Sequence, residues 1–80
     1  MTSDKSDESK SSEELKKLAN IASDMDMASK LRTQAIDRLG EMDTHEALLV
    51  LLNLAANDKL GIDERELALK RAREIVKKGI

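Results

Sequence analysis

The chain has no cysteine, no proline and no aromatic residue among its 80 residues. Without cysteine, neither a disulfide nor a thiolate metal site can brace the fold. Without proline, every segment lacks the strongest breaker of a helix. Without Phe, Tyr or Trp, the core has to be built from the aliphatic side chains of Leu, Ile, Val, Ala and Met.

The sequence also lacks a dominant charge and a long apolar run. The formal net charge is −2, which argues against a dedicated binder of nucleic acid or of anionic membranes. The longest apolar run, Ala47–Leu52, is far shorter than the ~20 residues of a membrane span. The N-terminus lacks the basic and then apolar pattern of a signal peptide. We therefore expect a cytoplasmic protein that has no membrane partner.

An internal repeat is the strongest positive signal, because residues 13–41 match residues 46–74 without a gap at an offset of 33. The identical pairs are Glu13/Glu46, Leu15/Leu48, Leu18/Leu51, Asn20/Asn53, Ala22/Ala55, Arg32/Arg65, Ala35/Ala68, Arg38/Arg71 and Glu41/Glu74. A period of this length is typical of stacked helical hairpins. With apolar residues at helical spacing, the repeat predicts an all-α fold of two stacked αα-hairpins, a short α-solenoid of four helices.

The N-terminal segment differs in composition from the repeats. Residues 1–12, MTSDKSDESKSS, contain one apolar residue, Met1, so they predict a disordered tail. Residues 13–80 then form the helical domain, with repeat 1 over 13–43 and repeat 2 over 44–80. We expect the first helix to begin near Glu13, the second to end at Gly40 and the third to be capped by Asp43.

The third helix carries more apolar residues than one face needs. Its predicted core stripe is Leu48, Leu51, Leu52 and Ala55. Leu49 and Val50 point away from that stripe, and repeat 1 has Lys16 and Lys17 at the equivalent positions. Either neighbouring helices cover these two side chains, or they form an exposed patch. In the second case Leu49, Val50 and Asn53 are candidate residues of an interface.

The segment Leu31–Gly40, LRTQAIDRLG, resembles the second helix of a HEAT-like repeat, with its pattern apolar-Arg-x-x-Ala-x-x-x-Leu-Gly. The resemblance extends over about residues 13–79. The short HEAT-like repeats of the bilin-lyase type are the members that the chain resembles. The second copy departs from the pattern at Lys59, Glu64, Ala72 and Arg73, as terminal repeats commonly do. The resemblance implies a scaffold or adaptor, and some family members help to attach chromophores to light-harvesting proteins. It carries over no catalytic residue.

The same family places an Asp shortly before the repeat's Arg, and Asp26 stands there before Arg32. The resemblance therefore suggests a structural ion pair that braces the turn between helices or reaches the next repeat through Arg65. The alternative is a pair of solvated charges, worth less than about 1 kcal/mol.

The fourth helix carries a basic face of Lys70, Arg71, Lys77 and Lys78, predicted to lie opposite inward-facing Ala72 and Val76. Such a face could contact phosphates or an acidic partner. A solvated face is the preferred interpretation, because no aromatic side chain offers stacking to a nucleic acid.

No residue pattern predicts catalysis, a cofactor or a metal. His45 is the single histidine, and a lone His beside acids is weak evidence for a ligand or a base. Asp24-x-Asp26 resembles the start of a calcium loop, but Ser29 and Ala35 stand where that loop needs Gly and Glu.

The sequence thus favours a small non-catalytic module for protein–protein interaction, scaffolding or self-association. An accessory subunit of an enzyme, such as a chromophore-attachment helper, is the alternative. A nucleic-acid binder that acts through the fourth helix is less favoured.

Overall fold

The computed structural model describes the backbone of residues 2–79 and the side chains of residues 12–79. Within these residues the chain folds into four helices and no strand: α1 (Thr2–Ser23), α2 (Ser29–Met42), α3 (His45–Ala55) and α4 (Ile62–Lys77). Helix α1 packs on α2 and α3 packs on α4, while α2 also contacts both helices of the second pair. The predicted all-α class, with four helices arranged in hairpins, is confirmed.

The 33-residue offset recurs in the hydrogen bonds of the two hairpin turns. Asp24 Oδ1 accepts a bond from the Asp26 amide at 2.9 Å, and Asn57 Oδ1 accepts one from the Lys59 amide at 3.0 Å. The backbone carbonyls of Asp24 and Asn57 each accept a bond from the amide three residues on, at 3.0 and 3.1 Å. Both turns are therefore built on the same local motif, in which an Asx side chain bonds the backbone two residues on. Asp24 and Asp26 are therefore residues of the turn between α1 and α2.

Helix α1 is longer than the sequence predicts. It begins at Thr2 and not near Glu13. Residues 2–12 contain neither Gly nor Pro, so nothing interrupts backward propagation of the helix once Glu13–Ser23 has formed. Met1, Ile80 and the side chains of residues 2–11 lie outside the described residues. The domain boundary at residue 13, and the disorder expected for residues 1–12, stay predictions.

One aliphatic core joins the two hairpins. Its largest fully buried side chains are Ile36, Leu39, Leu51 and Ile75. Smaller side chains fill the space where the helices approach each other, namely Ala22, Ala35, Ala47, Ala68 and Ala72. Leu54 and Leu60 complete the buried set. The buried hydrophobic core of the described residues is thus entirely aliphatic.

Helix α3 is rotated relative to the predicted stripe. Its buried residues are Ala47, Leu51 and Leu54, whereas Leu52, predicted to be core, is 43% exposed. Val76 of α4, also predicted to face inward, is exposed. The prediction fails because a helix that is apolar over most of its circumference does not reveal which face is buried.

The end of α2 also differs from the prediction. Gly40 lies buried inside α2, and a Cβ there would stand 2.9 Å from Arg71 Cδ. The glycine therefore permits α4 to pass close to α2. The helix ends instead at Met42, and its C-cap Asp43 adopts the left-handed conformation at φ 52°. The cap of α3 is Thr44, whose Oγ1 accepts a bond from the Ala47 amide at 3.1 Å.

We predict that Leu51→Ala destabilises the protein by about 2–4 kcal/mol, because it removes a fully buried side chain and leaves a cavity. Lys17→Ala is the control, since Lys17 is exposed and its truncation should cost less than about 0.5 kcal/mol. Chemical denaturation followed by circular dichroism compares the midpoints. Equal midpoints for the two variants would contradict the assignment of Leu51 to the core.

Candidate interaction surface

A buried ion pair holds repeat 2 on repeat 1. Arg32 Nη2 of α2 donates to Glu64 Oε2 of α4 at 2.8 Å, and the two side chains are only 10% and 6% exposed. Arg32 Nε donates to the same oxygen at 3.2 Å. Ser29 Oγ donates to it as well. The carboxylate thus receives several hydrogen bonds, which a buried charge needs to offset its lost hydration.

Both members of the pair also bind the backbone at helix ends. Arg32 Nη1 donates to the carbonyls of Asp24 and Met27 in the turn before α2. Glu64 Oε1 accepts a bond from the Gly61 amide at the start of α4. The pair therefore ties the turn of repeat 1 to the first turn of α4. Among residues 12–79, every buried side-chain nitrogen or oxygen has a hydrogen-bond partner.

The ion pair suggested for Asp26 is corrected by this geometry. Arg32 binds Glu64 in place of Asp26, whose amide is bonded within the turn. Arg65 does not join the pair: its Nε donates to the Ala55 carbonyl at 3.1 Å. The equivalent arginines of the two repeats thus both bind carbonyls of their own hairpin. Only Arg32 finds an acid in the next repeat, because Glu64 stands where repeat 1 has Leu31.

The pKa of Glu64 is lowered from its ordinary value. The hydrogen bond from Arg32 is the largest cause, and the bonds from Ser29 and the Gly61 amide act in the same direction. Burial opposes this shift, because it penalises the charged form. The hydrogen bonds prevail, so the carboxylate stays ionised in the folded protein down to a lower pH than in the unfolded chain.

Two further ion pairs lie along the same junction. Arg71 Nε donates to Asp37 Oδ1 at 2.9 Å, and Lys78 Nζ lies 3.0 Å from Asp43 Oδ2. With Arg32–Glu64, these contacts advance along α2 and α4 in the same order, so the two helices run side by side in the same direction. Repeat 2 is therefore stacked on repeat 1 through a row of charge pairs above the aliphatic core.

The equivalent face of repeat 2 is open. Ile36 is fully buried in repeat 1, whereas its equivalent in repeat 2, Leu69, is 37% exposed. Ala22 is fully buried, whereas Ala55 is only partly buried. Arg32 is buried, whereas the side chain of Arg65 is 37% exposed. These three positions, which are buried in repeat 1, are thus only partly covered in repeat 2.

An apolar groove follows this open face between α3 and α4. It consists of two adjoining concavities of about 310 and 290 Å³ that meet at Leu69. We call it the α3–α4 groove; its apolar lining is Leu48, Leu52, Ala55, Ile62, Leu69, Ala72 and Val76. Ile62 is 69% exposed and Val76 is 58% exposed. An apolar concavity of this kind is typical of a surface that binds a partner.

Charged side chains line the groove unevenly. Glu66 and Arg65 line the end where α4 begins. Arg73 and Lys77 line the end where α4 finishes. The groove therefore has an acid at one end only and excess positive charge at the other, with Leu69 between them.

The structure separates the predicted interface residues of α3. Leu49 is 52% exposed, and Asn53 is exposed as well. Val50 is partly buried and packs against the core. Both alternatives for the pair thus hold in part: neighbouring helices cover Val50, and Leu49 faces outward. None of the three lines the α3–α4 groove, and an interface role for them stays a prediction.

The predicted basic face of α4 is largely occupied by contacts within the protein. Arg71 is paired with Asp37 and with Glu74, and Lys78 is paired with Asp43. Lys70 is exposed, and Lys77 lines the groove. The four cations of the predicted basic face therefore differ in their contacts. Two form ion pairs within the protein, one lines the groove and one is exposed.

No protein-family model, no curated protein and no solved structure matches this chain. Among residues 12–79, no three His, Asp or Glu side chains are grouped so that they could hold a metal ion. None of the helices in the described part of the chain is both long and apolar enough to cross a membrane.

We predict that Glu64→Gln lowers the free energy of unfolding by about 3 kcal/mol at pH 7, because it leaves the buried Arg32 without its counter-charge. Since the folded-state pKa of Glu64 is lowered, the stabilisation by the carboxylate is complete above its ordinary pKa of about 4.3. It is lost as the pH falls through the folded-state value. The difference between wild type and variant should therefore shrink below about pH 4.3.

Urea denaturation between pH 7 and pH 3 measures this difference. Glu66→Gln is the matched control, because Glu66 is exposed and its charge contributes little to stability. A difference for Glu64→Gln that stays constant over the whole pH range would contradict the assigned role of the ion pair.

Proposed function

We propose that this chain is a small non-catalytic module of the HEAT-like kind that binds protein through the α3–α4 groove. The observation that carries the proposal is the contrast between equivalent positions of the two repeats. Ile36 is fully buried, while Leu69 is open to solvent and lies at the centre of the groove. A further helical element placed on repeat 2 would cover Leu69 as Ile36 is covered.

The energetics support a binding role for this face. Full burial of a Leu, Ile or Val side chain contributes about 1.5–3 kcal/mol. Ile62 and Val76 are both more than half exposed, and Leu52 and Leu69 lie between them along the groove. A partner that covers these side chains gains apolar burial at the centre of the interface. The charged residues at the rim, Glu66 and Arg73, then determine its orientation.

The shape of the surface favours a helical partner. The groove lies between two helices and has exposed apolar residues at a spacing of seven along α4, at Ile62, Leu69 and Val76. On a helix this spacing places the side chains on one face. An amphipathic helix laid in such a groove buries its own apolar stripe against that face. This mode of recognition needs no reaction at the site.

We predict that a photoreactive amino acid in place of Val76 forms covalent adducts with protein in the cell of origin. The same photoreactive residue in place of Lys30 is the control, because Lys30 is exposed on α2, away from the groove. Denaturing gels and mass spectrometry detect the adducts. Adding Leu52→Lys should remove them, since it places a charge on the opposite wall of the same groove.

Circular dichroism is used to check that each of these variants is folded. If a folded protein with the photoreactive residue at position 76 gives no adduct beyond those of the Lys30 control, the groove is not a binding surface and the proposal is wrong.

A further inference from the structure

The hydroxyl of Ser29 differs from the other serine and threonine hydroxyls that the structure describes. Ser23 and Thr33 each donate to a carbonyl one turn back in the same helix, and Thr44 caps α3. Among the described side chains, only the Ser29 hydroxyl bonds a residue of another helix, since it donates to Glu64 Oε2 at 2.5 Å. Ser29 is exposed, whereas Glu64 is buried. The hydroxyl therefore lies where solvent meets the junction between the two repeats.

The surroundings of Ser29 hold a cation and a helix end without a side-chain cap. Arg32 lies one turn further along α2, and its guanidinium donates to the same Glu64 oxygen and to two carbonyls of the turn before α2. Ala28, the N-cap of α2, has no side chain that accepts a bond from the first amides of the helix. An anion attached to Ser29 would therefore have a positive charge and the N-terminal end of a helix beside it.

We propose that Ser29 is a phosphorylation site whose modification moves Arg32 from Glu64 to the phosphate and so weakens the packing of repeat 2 on repeat 1. The reaction is the transfer of the γ-phosphoryl group of a nucleoside triphosphate by a protein kinase. The bond from Ser29 Oγ to phosphorus forms, the bond from phosphorus to the bridging oxygen breaks, and the nucleoside diphosphate leaves. The hydroxyl proton passes to the catalytic carboxylate of the kinase.

The phosphate changes the junction in three ways that act together. Ser29 Oγ becomes an ester oxygen and can no longer donate to Glu64. The phosphate brings a charge of about −1.5 to −2 next to the carboxylate, so two anions repel each other at a buried site. Arg32, at helical spacing from Ser29, binds the phosphate in place of the carboxylate. Glu64 Oε2 then loses all of its side-chain donors, which is costly for a buried charge.

A kinase can reach Ser29 by local opening at the start of α2. Ser29 is the first residue of that helix, and residues 24–28 before it lie outside any helix. Ala28, Lys30 and Leu31 are exposed, so the positions on both sides of the hydroxyl face solvent. Helix ends open at a lower free energy than helix centres. The α3–α4 groove has no part in this inference, because neither Ser29 nor its two charged neighbours line it.

Full-length protein with genetically encoded phosphoserine at position 29 tests the effect on the junction. We expect the folding equilibrium constant from urea denaturation to fall at least about tenfold, because a hydrogen bond to a buried charge is lost and a like charge is added. Phosphoserine at position 12 is the matched control, because Ser12 is exposed and its modification should change the constant less than about threefold. Equal effects at the two positions would overturn the proposal.

The effect of Glu64→Gln in the two forms of the protein separates the switch from general damage. In the unmodified protein this variant should destabilise, because it leaves Arg32 without its counter-charge. In the protein phosphorylated at Ser29, the phosphate is that counter-charge and Glu64 is a repelling anion. Glu64→Gln should then leave stability unchanged or raise it, and a double-mutant cycle measures this coupling. An equal loss of stability in both forms shows that Arg32 has not moved to the phosphate and that the proposal is wrong.

Phosphopeptide mapping of the protein purified from its cell of origin tests whether the modification occurs there. We expect a fraction of the chains to carry phosphate at Ser29, and we expect a Ser29→Ala protein expressed in the same cell to lack that phosphopeptide. Chains without phosphate at Ser29 in growing, stationary and stressed cells alike would contradict the assignment of Ser29 as a phosphorylation site.

Discussion

The buried ion pair between Arg32 and Glu64 is the interaction on which the stacking of the two repeats depends. An aliphatic core made of leucine, isoleucine and alanine is not selective, because such side chains pack acceptably in several registers. A buried charge is selective, because leaving it unpaired costs several kcal/mol. Only the register that brings the first turn of α4 over the first turn of α2 satisfies both charges. Arg71–Asp37 and the close passage over Gly40 then extend the same register toward the helix ends.

The residues equivalent to this junction differ in repeat 2. Repeat 2 has Arg65 where repeat 1 has Arg32, but Arg65 lies 3.9 Å from Asp58 of its own hairpin, and Lys70 replaces Asp37. Repeat 1 contacts repeat 2 through Arg32 and Asp37. The equivalent face of repeat 2 lacks the acid of this pair of residues, because Lys70 stands in place of Asp37. Its apolar residues Leu69, Ile62 and Val76 are exposed. Ile36 lies in the contact between the repeats, whereas its equivalent in repeat 2, Leu69, lies on the surface of the protein.

Much of the fold could be read from local chemistry. The 33-residue offset predicted the hairpins, since repeated turn residues such as Asp24 and Asn57 impose the same turn twice. Helix ends were less predictable. Gly40 resembles a terminating glycine, but its role is to admit Arg71 from another helix, a contact that no local pattern encodes. The face of α3 was also not predictable, because Leu48, Leu51 and Leu52 offer similar burial on adjacent faces.

The sequence by itself determined the class of the fold, the number of hairpins and the aliphatic nature of the core, because these follow from short-range periodicity and composition. Only the tertiary structure decided which charges pair and which apolar residues stay uncovered. Arg32 finds Glu64 across 32 residues of chain, in a position where the offset alone points to Leu31. Such pairings depend on how two hairpins approach in space, and that approach is set by the whole core and not by any single segment.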